Sequence, residues 1–235
     1  MSVIKRLHLI HKQFEIPYII GSWSNRFRRR RSKYIAYMIE ECYNRKKEVN
    51  IIDIGGKKSY WDIFSDTFLS ENNVHITILN LPSNSPLPEK DKIFTYIYGD
   101  GCNLSEFSDK SFHIAHSNST LEHVGNMENK RKFSNEIQRV GEKHYLQTPN
   151  YWFPIEPHFL VPFFQFLPLP VRIKLLCIFD IGHWKRVRNS QIAKLVLEYT
   201  DLLSKNDLIQ LFPDSSIIKE KFWFLTKSFI VIGNS

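Results

Sequence analysis

Several short segments of this sequence carry glycines or polar side chains where a ligand could be bound. The first contains Asp53, Gly55 and Gly56 and closes the β-branched run 51–54. Glycine adopts positive φ angles that other residues avoid, so the chain can turn sharply there and a ligand can touch the backbone. If the run is a strand of an open α/β sheet, these residues lie at its carboxyl end, where such sheets bind ligands.

Three further segments occupy corresponding places later in the chain. Asn80 ends a second run, about where nucleoside-binding folds place a ribose contact, and its amide can bond a hydroxyl as a neutral partner. Gly99 and Asp100 follow a third run, and Asp100 could accept from an exocyclic amine such as that of adenine. Asn118 lies in a fourth segment, 116–120. Four such loops at successive strand ends predict a nucleoside pocket.

Two pairs of an acid and a histidine could perform acid–base chemistry. Glu122 and His123 follow the fourth segment, and Glu156 and His158 flank a proline in an aromatic-rich stretch after a fifth run. Imidazole has an unperturbed pKa near neutrality, so either histidine can accept a proton from a hydroxyl group. His123 is the first candidate base, Glu122 its orienting acid, and His158 the second candidate. Alternatively, Glu122 pairs with Arg131 and His123 is a surface residue.

Alternating strand and helix patterns must position these segments. β-branched runs of four to eight residues predict strands, and apolar residues at helical spacing predict helices between them. Strands are predicted at 51–54, 74–81, 94–98, 112–116 and 144–147, and helices at 32–47, 60–69, 128–140, 171–181 and 204–212. Two more strand-like segments, 216–219 and 222–232, end the chain. This alternation predicts an α/β protein with a Rossmann-like, doubly wound, mostly parallel sheet.

The same patterns suggest how the chain is divided. Residues 1–48 form an N-terminal helical segment, and residues 49–235 form the main domain. Within that domain, residues 150–190 are an insertion after the fifth strand. It is predicted to be a lid over the acceptor side, which is the part of the pocket where the second reactant would bind. Its helix at 171–181 is followed by a basic stretch, which alternatively suits contact with a membrane surface or a second copy of the chain.

Composition narrows the choice of compartment and partners. The net charge of +8 and the cluster of arginines at 26–31 favour an anionic partner, with a peripheral contact to anionic membrane as one option. Nucleic acid is not the expected partner, because no base-reading motif accompanies the cluster. Three separated cysteines and the absence of a long apolar run predict a cytoplasmic protein, which could also be membrane-peripheral. The oligomeric state is not determined by these features.

Taken together, the segments resemble class I S-adenosylmethionine-dependent methyltransferases, more narrowly the methyltransferase type 11 group. The matching pieces are Ile51–Gly56, Gly99-Asp100, Asp109–His113 and Ser117–Val124. The resemblance is clearest over residues 49–150 and implies a seven-stranded sheet that ends in an antiparallel pair. It also implies S-adenosylmethionine as the cofactor.

By this resemblance, each strand-end loop has a part in holding the cofactor. The implied contacts are Asp53, Gly55 and Gly56 to the methionine part, Asn80 to the ribose, Gly99 and Asp100 to the adenine, and Asn118 beside the sulfonium. No metal is expected, because Ser119 stands where metal-assisted relatives have another acid. The implied reaction is O-methylation of a small-molecule or glycan- or lipid-linked acceptor, by histidine-assisted direct methyl transfer.

The chain also departs from the pattern of the group. Lys57 and Ser59 stand where many members have glycine, and Asn80 replaces the usual acid. These departures leave two alternatives open. The chain could bind the cofactor without transferring a methyl group, or it could be a basic module that binds RNA or a membrane surface.

Overall fold

A computed structural model describes residues 23–82 and 86–234, so most of the predicted N-terminal segment lies outside the described residues. The strands are β1 (Val49–Ile54), β2 (Val74–Asn80), β3 (Phe94–Tyr98), β4 (Phe112–Asn118), β5 (Gly141–Pro149), β6 (Ser216–Phe222) and β7 (Leu225–Asn234). The helices are α1 (Trp23–Lys46), α2 (Lys58–Trp61), α3 (Asp66–Glu71), α4 (Met127–Val140), α5 (Leu169–Ile178), α6 (Ser190–Tyr199) and α7 (Lys205–Leu211).

The strands form one seven-stranded sheet in the order β3-β2-β1-β4-β5-β7-β6. The neighbours from β3 to β5 are parallel, whereas β7 is antiparallel to both β5 and β6. The predicted fold class is therefore confirmed, including the antiparallel pair at one end. The carboxyl ends of β1, β2, β3 and β4 share one edge of the sheet, as the sequence analysis requires.

Different helices cover the two faces of the sheet. In β1, Ile51 joins a buried cluster with Ile35 and Ile39 of α1, whereas Ile52 joins a second cluster with residues of α4 and α7. Successive side chains of a strand point to opposite faces, so a strand buried on both sides needs apolar residues at every position. The isoleucines of β1 meet this need on both faces and suit a central strand, with the buried Asp53 as the polar exception.

Two of the predicted helices differ from those in the structure. The segment 60–69 is not one helix but two short ones, because Ser65 caps α3 by accepting from the backbone N–H of Phe68 and so starts a new helix there. Helix α1 covers Trp23–Lys46 and does not begin at residue 32, so the arginine cluster at 26–31 lies on a helix.

The insertion between β5 and α7 is larger than predicted. Its apolar side chains form a separate cluster, in which Phe159, Phe164 and Trp184 pack against α5 and α6. Helix α6 was missed by the sequence analysis, although Asn189 caps it by accepting from two backbone N–H groups. Within the described ranges, no helix combines the length and apolar character needed to span a bilayer.

One arginine of the basic cluster is structural. Arg31 is 6% exposed, and its Nη1 atom lies 3.3 Å from Oε2 of Glu220, which also accepts from the Ser228 hydroxyl. This ion pair joins α1 to β6. Arg31 is therefore not available to an external anion, which removes one charge from the predicted cluster.

We expect Arg31→Met to destabilise the protein because it leaves the buried Glu220 carboxylate without its partner. The free energy of unfolding should fall by about 3 kcal/mol, the low end for a broken buried pair, because Lys227 partly compensates. The Nζ atom of Lys227 lies 4.0 Å from Oε2 of Glu220. Urea unfolding measures the change. Arg30→Met, on the exposed side of the same helix, is the control and should stay within about 0.5 kcal/mol of the parent. Equal losses in both variants would contradict the structural role.

Candidate functional site

The loop after β1 needs glycine at both Gly55 and Gly56. Gly55 has a φ angle of 76°, in the left-handed region, and its N–H donates to the carbonyl of Leu79 at 2.8 Å. A Cβ atom on Gly56 would lie 1.8 Å from Oδ2 of Asp53 and could not be accommodated. The loop therefore keeps its backbone close to the end of the sheet, where a ligand can approach it.

Asp53 lies beneath this loop and is fully buried. Its carboxylate accepts from Nε1 of Trp61 at 2.8 Å and lies 2.7 Å from Nδ1 of His116 on the neighbouring strand. Both oxygens are thus engaged inside the protein, and the carboxylate supports the loop from below. Direct contact between Asp53 and a cofactor stays a prediction.

The second and third loops are tied to the first. The side-chain amide of Asn80 donates to the carbonyl of Gly56 at 2.9 Å, and the N–H of Gly99 donates to the carbonyl of Asn80, also at 2.9 Å. Asp100 is exposed, and its Oδ1 atom accepts from the N–H of Cys102. Asn80 therefore holds the glycine loop in place, and Asp100 stands at the outer end of the same edge.

The fourth loop packs against the first. The hydroxyls of Ser117 and Thr120 both donate to the carbonyl of Ile54, at 3.0 and 3.3 Å. The Thr120 side chain also fills the space beside Gly55, where an added Cβ would meet it at 2.4 Å. Asn118 has a buried Oδ1 atom without a hydrogen-bond partner among the described residues. That acceptor is free for a ligand.

These features fit the cofactor that the sequence resemblance implies. A glycine turn at the end of β1, an unpaired buried acceptor on Asn118 and an outer carboxylate on Asp100 suit a nucleoside with polar substituents. Asp53 and Asn80 act in this structure through the loop that they support.

Immediately beyond the fourth loop, two histidines from distant parts of the chain meet. His123 ends a short 3₁₀ helix, Leu121–His123, and His158 lies in the insertion. Their Nε2 atoms are 3.1 Å apart, and the two rings are nearly perpendicular. The structure therefore brings together both base candidates, which the sequence analysis had treated as alternatives.

Glu156 orients His158. Its Oε1 atom lies 2.5 Å from Nδ1 of His158, and its Oε2 atom accepts the backbone N–H groups of His158 and Phe159. Burial disfavours the charged imidazole, but the hydrogen bond to Glu156 and the charges of Glu156 and Glu122 outweigh this and raise the pKa of His158. The ring is thus held in one orientation with an increased affinity for a proton.

Glu122 is fully buried beside the pair. Its Oε2 atom accepts from the Thr148 hydroxyl at 2.9 Å, so Thr148 rather than Arg131 is its partner. Its Oε1 atom is buried and has no hydrogen-bond partner in the described part of the chain. Burial raises the pKa of Glu122, while the charge of His158 lowers it.

His123 is half-buried against α6, the helix that the sequence analysis missed. Its Nδ1 atom lies 3.3 Å from the carbonyl oxygen of Tyr199, and its ring stacks on the Tyr199 ring at 4.8 Å between centroids. His123 therefore packs against α6 and is not an exposed residue of the turn. Thr148, the partner of Glu122, lies directly after the fifth predicted strand, where a site residue could be expected. Nothing in the sequence indicated Tyr199 as a partner of His123.

The two Nδ1 contacts define what the pair can do. A carboxylate and a carbonyl oxygen are acceptors, so each ring places its hydrogen on Nδ1 and leaves Nε2 as a lone pair. Two lone pairs 3.1 Å apart repel each other, and a proton shared between them removes the repulsion. His123 and His158 can therefore act together as an acceptor of one proton.

The same side chains could attract a metal ion. Glu122, His123 and His158 place ligand atoms within 4.8 Å of one another, and three protein donors are typical of catalytic zinc sites. A divalent cation could thus compete with the proton for the place between the rings. The expectation that no metal takes part stays a prediction.

Comparisons with known sequences give few matches. No protein-family model matches the chain. Two uncharacterized proteins of Mycobacterium tuberculosis, MT1557 from strain CDC 1551 and Rv1509 from strain H37Rv, are each 33% identical to it over 73 residues, which is 31% of this chain. The matched region spans only 25% of the length of these relatives.

Several solved structures are similar to this chain at a low level. A SAM-dependent methyltransferase of Methanosarcina mazei is 16% identical, with 80% of this chain and 93% of that chain covered and a TM-score of 0.46. An O-methyltransferase family protein of Burkholderia thailandensis is 11% identical, with 88% and 56% covered and a TM-score of 0.47. Phosphoethanolamine N-methyltransferase 2 of Haemonchus contortus, in complex with S-adenosyl-L-methionine, is 15% identical, with 75% and 36% covered and a TM-score of 0.48.

The strand connections of this chain characterise its fold without reference to those structures. Five parallel strands lie in the order β3-β2-β1-β4-β5, so the direction in which successive strands are added reverses between β1 and β4. The last strand, β7, lies between β5 and β6 and is antiparallel to both. The candidate site lies at the edge where the parallel strands end. This is the sheet that the sequence resemblance to class I S-adenosylmethionine-dependent methyltransferases implies.

Proposed function

We propose that the protein is a S-adenosylmethionine-dependent methyltransferase that methylates an oxygen atom of a small-molecule or glycan- or lipid-linked acceptor. The observation that carries the proposal is that the glycine loop and the histidine pair adjoin. Thr120 packs on Gly55, and His123 follows three residues later. Bound S-adenosylmethionine would supply a methyl group already activated by its sulfonium.

The cofactor would be held by the strand-end loops. The glycine loop lets the backbone at Gly55 and Gly56 come close to the ligand, and the unpaired Oδ1 atom of Asn118 accepts from it. Gly99 and Asp100 complete the outer end of the pocket. Asp53 and Asn80 contribute by holding the glycine loop in place before the ligand binds.

The acceptor hydroxyl would be bound beside His123 and His158. Its proton would pass to the Nε2 atoms of the pair while the oxygen bonds to the methyl carbon and the carbon–sulfur bond of the sulfonium breaks. The cofactor would leave as the neutral thioether S-adenosylhomocysteine, and no free alkoxide would accumulate. Glu156 and the Tyr199 carbonyl keep the two rings aligned, and Glu122 adds negative charge that stabilises the protonated pair. The proton is then released to water.

Two measurements test this proposal in sequence. Calorimetry should detect S-adenosylmethionine binding by the full chain, and the absence of heat at millimolar ligand would reject it. Transfer of labelled methyl groups to a panel of hydroxyl acceptors should then identify product. The reaction should proceed equally in the presence of a metal chelator. Loss of product with the chelator would indicate that a metal ion, rather than the histidine pair alone, activates the acceptor hydroxyl.

Binding without transfer is the second candidate. Asp53 and Asn80, two implied cofactor contacts, are both engaged in hydrogen bonds within the protein, and Lys57 replaces a glycine of the usual loop. A chain that binds S-adenosylmethionine in the calorimeter but labels no acceptor would fit this reading. Labelled product from any acceptor excludes it.

A further inference from the structure

The hairpin between β6 and β7 presents two large aromatic side chains to solvent. Trp223 and Phe224 are 82% and 79% exposed and form a two-residue turn between the paired residues Phe222 and Leu225. The φ angle of Trp223 is 55°, a conformation for which such turns prefer asparagine or glycine. The turn geometry therefore does not account for a tryptophan at this position, and a role at the surface accounts for it better.

Basic side chains surround this turn. Arg26 and Arg30 of α1 and Lys221 of β6 line a cleft of about 230 Å³ together with Trp223. All four side chains are exposed. Positive charges next to exposed aromatic rings are complementary to a surface that is both anionic and apolar.

The aromatic surface continues onto the insertion. The ring of Phe153 lies 6.3 Å from that of Phe222, which joins the insertion to the hairpin. Trp152 and Phe163 are 65% and 58% exposed, and Trp152 stacks on Phe166. Aliphatic side chains of the same segment are also exposed: Ile155, Leu160 and Val161.

We propose that this surface docks on an anionic lipid membrane. It comprises the aromatic rim, defined as Trp152, Phe163, Phe166, Trp223 and Phe224, and the basic residues Arg26, Arg30 and Lys221. The rings enter the interface between headgroups and acyl chains, and the basic side chains contact lipid phosphates.

The shape and composition of the surface favour lipid over single-stranded nucleic acid. Proteins that bind single strands combine a basic groove with rings on which bases stack. Here the most exposed rings stand on the tip of a hairpin, and aliphatic side chains, which offer no face for stacking, accompany those of the insertion. The proposal does not depend on methyl transfer, because neither the cofactor nor an acceptor enters it.

Flotation with lipid vesicles tests the proposal on the full chain. The protein should float with vesicles of phosphatidylglycerol and phosphatidylcholine at low salt, and much less with phosphatidylcholine alone. Trp223→Ser combined with Phe224→Ser should lower the partition constant about 100-fold, because two inserted rings are lost. Arg26→Gln combined with Arg30→Gln should lower it about tenfold and weaken its dependence on salt.

Tyr37→Ser is the matched control. Tyr37 is an aromatic residue of α1 that is 66% exposed but lies outside the aromatic rim, so this variant should float like the parent. All variants should keep the parent's unfolding transition. Failure to float at low salt would overturn the proposal. So would equal losses in the control, displacement of the vesicles by a single-stranded oligonucleotide, or a dimer that the hairpin variant converts to monomer.

Discussion

Methyl transfer by His158→Ala should be slower than that of the parent by about 10²–10⁴, the usual contribution of a general base. The imidazole is part of a proton-accepting pair, with Nε2 of His123 at 3.1 Å and Glu156 behind it. Alanine removes the proton acceptor but leaves the strand-end loops untouched. Affinity for S-adenosylmethionine, measured by calorimetry, should therefore be unchanged while the rate with labelled cofactor falls.

A neighbouring histidine gives the control for this prediction. His183 lies in the same insertion, and its backbone N–H, not its ring, bonds the carbonyl of His158. His183→Ala should therefore keep most of the activity. If His123 and His158 act as a unit, the double alanine variant should be no slower than the slower single variant. A rate unchanged in His158→Ala would mean that positioning of the acceptor alone drives the reaction.

The pH dependence of the rate gives an independent test of Glu156 as a positioning residue. A base works unprotonated, so the rate should rise with pH through the pKa of His158. Burial lowers that pKa, but Glu156 and Glu122 raise it by more. Glu156→Gln removes the largest raising contribution, so the acid limb of the profile should shift to lower pH. A Glu156→Gln profile with reduced rates but an unshifted acid limb would assign Glu156 a structural role only.

The sheet and the strand ends followed from local patterns in the sequence. Ile51–Ile54 is β-branched and ends in glycines, which specifies both a buried strand and a turn without knowledge of the rest of the chain. The loops of Asn80, Gly99 and Asn118 meet because parallel strands end at one edge. This part of the site was therefore within reach of sequence reasoning.

The side-chain contacts inside the site could not be predicted from the sequence. That Asp53 would turn inward to Trp61 and His116 depends on how α2 and β4 pack, which no local pattern encodes. The same holds for the meeting of His123 and His158, which are 35 positions apart and are joined by the course of the insertion. Residue types at strand ends predicted a pocket, but the roles of its side chains required tertiary packing.

Gly56→Ala should lower the affinity for S-adenosylmethionine roughly 100-fold, because displacing the loop removes about two hydrogen bonds to the charged ligand. The added methyl would lie 1.8 Å from Oδ2 of Asp53, and that carboxylate cannot retreat because Trp61 and His116 hold it. The loop must therefore move away from the sheet. Calorimetry measures the affinity, and thermal unfolding verifies that the variant is folded.

Two further variants test the cause of this loss. Ser59→Ala changes an exposed residue just beyond the same loop and should bind the cofactor like the parent. Asp53→Ser shortens the side chain that the new methyl meets, so the double variant Asp53→Ser, Gly56→Ala should lose less affinity than the two single variants predict together. Strict additivity would contradict the steric argument and would indicate that Gly56 acts through its backbone flexibility rather than through its contact with Asp53.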